Sequence, residues 1–114
     1  MNELRRGSEG ELLFRERYPK DYIYFRSAIE KSIALPGTDD EERAELIRML
    51  AQLEAATVHK KCACGEAGCS TFSFVDYAAI GYGGSFELEG GGPQMTVVDV
   101  DHEGNLIGVE KVPH

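Results

Sequence analysis

Large apolar side chains recur with helical spacing over residues 20–34. Tyr22, Phe25, Ile29 and Ile33 fall at i, i+3, i+7 and i+11, and Ala28 lies beside them. Arg26, Glu30 and Lys31 point elsewhere, so the stretch reads as an amphipathic helix opened by Pro19. A shorter apolar group, Leu12, Leu13 and Phe14, follows a capping box made by Ser8 and Glu11 and predicts a brief helix to about Arg17. The break "LPGT" at 35–38 precedes a third helix. There Thr38 and Glu41 form a second capping box, and the acidic run 39–42 suits a helix N-terminus. Its predicted apolar stripe is Ala44, Ile47, Leu50 and Ala51, flanked by Leu46 and Leu53, and the helix should end near Ala55.

After residue 56 the period changes from 3.6 to two. Residues 57–61 and 71–75 read as strands, with Phe72 and Phe74 alternating with Thr71, Ser73 and Val75. Glycines at 81, 83, 84 and 90–92 bracket a short edge strand in which Phe86 and Leu88 alternate with Glu87 and Glu89. They form no phosphate-cradling pattern. Thr96, Val98 and Val100 share one face of a strand, "HEGN" supplies a turn at Gly104-Asn105, and residues 106–112 return. Asp99 and Asp101 should then face solvent. The order, helices before strands, predicts an α+β fold with N-terminal helices packed against a C-terminal antiparallel sheet. A cysteine-containing loop lies between the strands at 57–61 and 71–75. The expectation is one domain over 1–114, helical to about residue 56 and β from about residue 57.

Charge narrows the range of functions. The 114 residues carry a net charge of −8, and residues 61–114 hold only two basic side chains against eight acidic ones. Such a surface repels phosphate backbones, so direct nucleic-acid binding is not expected. No apolar run reaches the roughly 20 residues that span a bilayer, and the N-terminal residues lack the apolar core of a signal peptide. The expected location is the cytoplasm, with the cysteines reduced.

The candidate chemistry lies in "HKKCACGEAGCSTF", residues 59–72. Cys62, Cys64 and Cys69 with His59 supply four ligands of the types that hold tetrahedral zinc, and Gly65 and Gly68 would let the loop close. The fourth ligand is equally open to His102, His114, Glu66, Asp76 or water. Three other readings compete: small buried hydrophobes, a C-x-C disulfide, or a thiol activated by Lys60, Lys61 or His59. If zinc is present, its role should be structural. The stretch from Leu46 to Asp76 also resembles a group of small uncharacterised bacterial proteins. In them a helix ending in an L-x-x-Q-L phrase leads into a strand and a C-x-C-G-C-x-[ST] motif. The matching positions are Leu50, Gln52 and Leu53, then Cys62, Cys64, Gly65, Cys69 and Thr71. Here Glu66, Ala67 and Gly68 intervene before the third cysteine. The resemblance implies no activity.

A second motif is "DVDHEGNLIGVE", residues 99–110, whose acidic spacing matches a calcium loop. Its β-like flanks favour a hairpin instead. No catalytic phrase such as G-x-S-x-G or H-E-x-x-H is present, so an enzyme is not the favoured reading. The favoured one is a non-enzymatic protein-interaction module with a structural zinc site. The alternative is an acidic inhibitor, of counter-defence or antidote type, that blocks a basic nucleic-acid-binding protein or nuclease. An open strand edge around Phe86 and Leu88 would also suit a homodimer.

Overall fold

The computed structural model describes residues 12–61, 70–88 and 95–112. The Ser8–Glu11 capping box and the three cysteines lie outside the described residues. A four-residue helix α1 (Phe14–Arg17) leads directly into α2 (Pro19–Ala34), with proline in the first turn as expected. Phe25, Ala28, Ile29 and Ser32 are buried along α2, with Tyr22 and Ile33 half-buried beside them. The helix stops at Leu35, which is extended as the residue before Pro36 must be. Helix α3 (Asp40–Ala55) begins one residue later than the expected box implies. Its cap is Asp39, whose carboxylate accepts from Glu42 N at 2.8 Å. Thr38 is unavailable because its hydroxyl donates to Ser32 O at 2.8 Å.

The buried stripe of α3 is Leu46, Met49 and Leu53, with Leu50 half-buried. The expected stripe is rotated, since Ile47 is 53% exposed and Ala44 and Ala51 face solvent. Polar groups at the flank set the rotation. Arg48 Nη2 donates to the carbonyls of Glu103 and Gly104 at 3.1 and 2.9 Å. Gln52 donates to Asn105 Oδ1 at 2.9 Å and accepts from Leu106 N at 2.8 Å. Holding that turn places Leu46, Met49 and Leu53 inward and turns Ile47 out.

Five antiparallel strands form one sheet: β1 (Lys60–Lys61), β2 (Ser70–Ser73), β3 (Gly84–Glu87), β4 (Met95–Val100) and β5 (Leu106–Val112). The spatial order is β1-β2-β5-β4-β3, so the C-terminal hairpin occupies the middle. Only the end of the strand expected over 57–61 joins this sheet. Thr57 pairs instead with Leu13, and Val58 N donates to Leu12 O at 3.0 Å, tying the chain before α1 to the chain after α3. A short helix α4 (Tyr77–Ile80) interrupts the region expected to be glycine-punctuated coil, and Asp76 caps it by accepting from Ala78 N. Among the described residues no helix is long and apolar enough to cross a membrane.

Register explains which face is buried. Phe72, Val109, Val98 and Phe86 are cross-strand partners and therefore share one face. The first three are buried in one cluster with Phe14, Phe25, Ile29, Leu46 and Leu53, so this face carries the helices. Phe14 is the centre, with ring centroids 4.8 Å from Phe72 and 5.2 Å from Phe74. The ladder shifts between Asp99 and Val100, where Ile107 is the extra residue of a bulge. Gly104, at φ +83°, makes the turn in a conformation that other residues rarely adopt.

Candidate interaction cleft and a buried carboxyl pair

The cysteine segment begins three residues past His59, at Cys62. His59 N donates to Ser73 O at 2.9 Å, which fixes the entry to β1, and its exposed side chain lines a shallow hollow with Asp76 and Tyr77. Cys62, Cys64 and Cys69 fall outside the described residues, so of the proposed ligands only His59 has a place in the fold. Asp76 caps α4 with one carboxylate oxygen. His102 lies elsewhere, at the β4–β5 turn against Gly81. Among the described residues, no three His, Cys, Asp or Glu side chains gather closely enough to hold a metal ion.

The sheet face away from the helices carries a polar cluster. Asp99 is only 3% exposed, which corrects the expectation that it faces solvent. Tyr77 Oη donates to Asp99 Oδ2 at 2.9 Å, Ser85 Oγ donates to Oδ1 at 2.7 Å, and Tyr82 hydrogen-bonds Ser85. Tyr77 also stacks on Tyr82, with ring centroids 6.1 Å apart. Gly108 stands opposite Asp99 on β5 and makes this arrangement possible. A Cβ there would collide with the Tyr77 hydroxyl, so glycine leaves the space in which the tyrosine crosses the sheet.

Glu110 lies two residues along the same face of β5. Burial first, then a hydrogen bond and repulsion from Asp99, push its carboxyl up to about 7. Burial, followed by the charge of Asp99, raises the Tyr77 phenol well above its ordinary value, so it stays protonated and keeps donating. The cluster therefore holds protons in fixed places and presents Asp99 to no substrate. The same geometry removes the calcium reading. Asp99 is committed to Tyr77 and Ser85. Asp101 closes the hairpin turn by accepting from Glu103 N and Asn105 N, each at 2.9 Å. The Asn105 backbone N–H, above all, lowers the Asp101 carboxyl below its ordinary value. A β-hairpin provides no helix–loop–helix frame for the ion.

The third feature is a cleft of about 250 Å³ between the α2–α3 turn, α3 and strand β3. Its apolar lining includes Leu35, Leu46, Met49, Phe86 and Leu88, and Glu42 and Glu45 of α3 bring carboxylates to it. Glu87 also borders it, but alternation turns its side chain to the opposite face of the sheet, with Ser85 and Asp99. All three glutamates are exposed, and no Lys or Arg lines the cleft. Small-molecule sites usually enclose about 300–1,000 Å³, so this space is nearer to that of one long side chain. Beside it β3 is the last strand of the sheet, with a described partner only in β4. The edge strand was expected from the alternation of Phe86 and Leu88. The cleft was not, because its acidic residues on α3 and its apolar residues around β3 are brought together only by the tertiary fold. Comparison of the chain with family models, curated proteins and solved structures gives no match.

Proposed function

We propose that this protein is a non-enzymatic protein-interaction module acting in the cytoplasm. The carrying observation is the acid-lined cleft under the edge of the sheet. It joins an apolar floor to the exposed carboxylates of Glu42 and Glu45, a combination suited to recognition by contact. In the Asp99 cluster, Asp99 is 3% exposed and both its carboxylate oxygens accept from neighbouring hydroxyls, so it is engaged as a structural acceptor. Cross-linking wild-type protein in cells, with a charge-swapped Glu42→Lys/Glu45→Lys variant as control, tests the reading. A discrete adduct lost in the variant supports it. Absence of any adduct at native abundance counts against it.

The acidic inhibitor of a basic nucleic-acid-binding protein or nuclease is a special case, favoured by the same two glutamates and by the net charge of −8. It requires affinity that falls steeply with salt. The cysteine loop is proposed as a structural zinc staple made by Cys62, Cys64, Cys69 and His59, next to the β1–β2 pair. Elemental analysis of protein purified without added metal or chelator, with a free-thiol count, decides this. About one zinc per chain with protected thiols supports the staple. Metal-free protein with three reactive thiols removes it.

A further inference from the structure

The interaction reading leaves open where a partner docks and what it looks like. Strand β3 and the cleft answer both questions together. In the β3–β4 pair, Leu88 N donates to Thr96 O at 2.7 Å, which makes that position a hydrogen-bonded pair. Alternation then assigns Phe86 and Gly84 to the same class and directs the backbone N–H and C=O of Ser85 and Glu87 away from β4. These groups lie on the strand edge that also borders the cleft.

We propose that a β-strand of a partner protein adds to the free edge of β3 and inserts a lysine or arginine side chain into the cleft below. The proposal rests on the interaction-module reading and specifies its site. Main-chain bonds to Ser85 and Glu87 supply the pairing. Residues on one side of the added strand point toward the helical layer, as Phe86 does through its partner Val98. A long side chain at such a position lays its methylenes against Leu46, Met49 and Leu88 and brings its cation to Glu42 and Glu45. The charge pattern selects this occupant. An acidic or neutral residue would meet two carboxylates with no Lys or Arg among the described lining residues, and a second copy of this chain would bring another net −8 to the same edge. Ordinary edge strands resist such pairing with lysines or proline. β3, with sequence GSFE, has neither.

A displayed library of random hexapeptides, selected on the full-length protein and read by fluorescence anisotropy with amide chemical-shift mapping, tests the proposal. The expected winners alternate β-formers with one central Lys or Arg and shift the amides of Ser85, Phe86 and Glu87. Replacing that residue by Gln in the peptide, or introducing Glu42→Gln/Glu45→Gln in the protein, weakens binding about fivefold and flattens its salt dependence. Glu87→Pro removes the outward donor and weakens binding further than Glu87→Gln does. The glutamine pair sits on exposed helix surface, so it remains informative if the proline variant misfolds. Selection of peptides without a basic residue, or shifts confined to other surfaces, overturns the proposal while leaving an interaction module in place. If no peptide is enriched, the edge is not a docking strand, and the cellular cross-linking above then decides the broader reading separately.

Discussion

Glu110→Gln isolates what the buried carboxyl pair does to stability. In the folded chain the Glu110 carboxyl titrates near 7, against an ordinary value of 4.5, because it is half-buried beside Asp99. An acid whose folded value is raised weakens the fold as it ionises. Below about pH 4.5 both states are protonated and nothing is lost. Between about pH 4.5 and 7 the unfolded chain gives up its proton while the folded chain retains it, so stability falls, and above 7 the loss is complete. For a fully enclosed group the rise would correspond to ~3 kcal/mol. Glu110 is open enough for solvent to screen it, which reduces the effect to ~1 kcal/mol. Glutamine retains a donor for Asp99 and removes the charge. Urea unfolding of wild type and variant in parallel should show equal stability at pH 4. The variant should lead by ~1 kcal/mol at pH 8, or by about 4 °C in Tm. A difference that is the same at both pH values, or a variant weaker at pH 8, would refute the account of Glu110.

Phe14→Ala removes the ring around which both layers pack, and chemical denaturation should record a loss of ~4 kcal/mol, a large share of the roughly 5–15 kcal/mol that holds a domain folded. Gly108→Ala drives the Tyr77 hydroxyl off Asp99. Unfolding should show a loss of ~2 kcal/mol, and the tyrosine near-UV circular dichroism should change. Asp101→Ala opens the hairpin turn. Because the folded carboxyl lies below its ordinary 3.8, the stability it contributes is present above that value and is lost as pH falls through the folded one. The variant should therefore be weaker than wild type at pH 7, and the gap should narrow as the pH is lowered below 3.8. Sedimentation of the wild type over a wide concentration range should give a constant monomer mass if the β3 edge serves a basic partner. A mass that doubles would favour the homodimer.

Periodicity was enough to place three helices and the terminal hairpin, because each buries a face whose spacing is written locally. Thr96, Val98 and Val100 alternate inward as their sequence implies. The failures lie where a distant group overrides local pattern. Ile47 belongs to a plausible stripe, yet Arg48 and Gln52 hold a turn more than 50 residues away and rotate the helix. Asp99 reads as a solvent-facing residue of a hairpin. It is buried because Tyr77, from a helix of four residues, covers it through the gap at Gly108. The glycine opposite an acidic residue was the available signal. Glu42 and Glu45 are legible only as charges near a helix start until the fold sets them beside Phe86 and Leu88, and the cysteine ligands fall outside the described residues.

The grip of Arg48 and Gln52 on the hairpin turn also has a kinetic side. The helices are synthesised first, but the backbone groups that α3 holds belong to residues 103–106. The hairpin closed by that turn also forms the centre of the sheet. On the ribosome the helices therefore emerge with their apolar stripe uncovered, and residues up to β5 must appear before the layers close. Such long-range closure is slow relative to local helix formation, so the layers should close only once β5 has left the ribosome. Until then, its exposed helical stripe is a surface for chaperones.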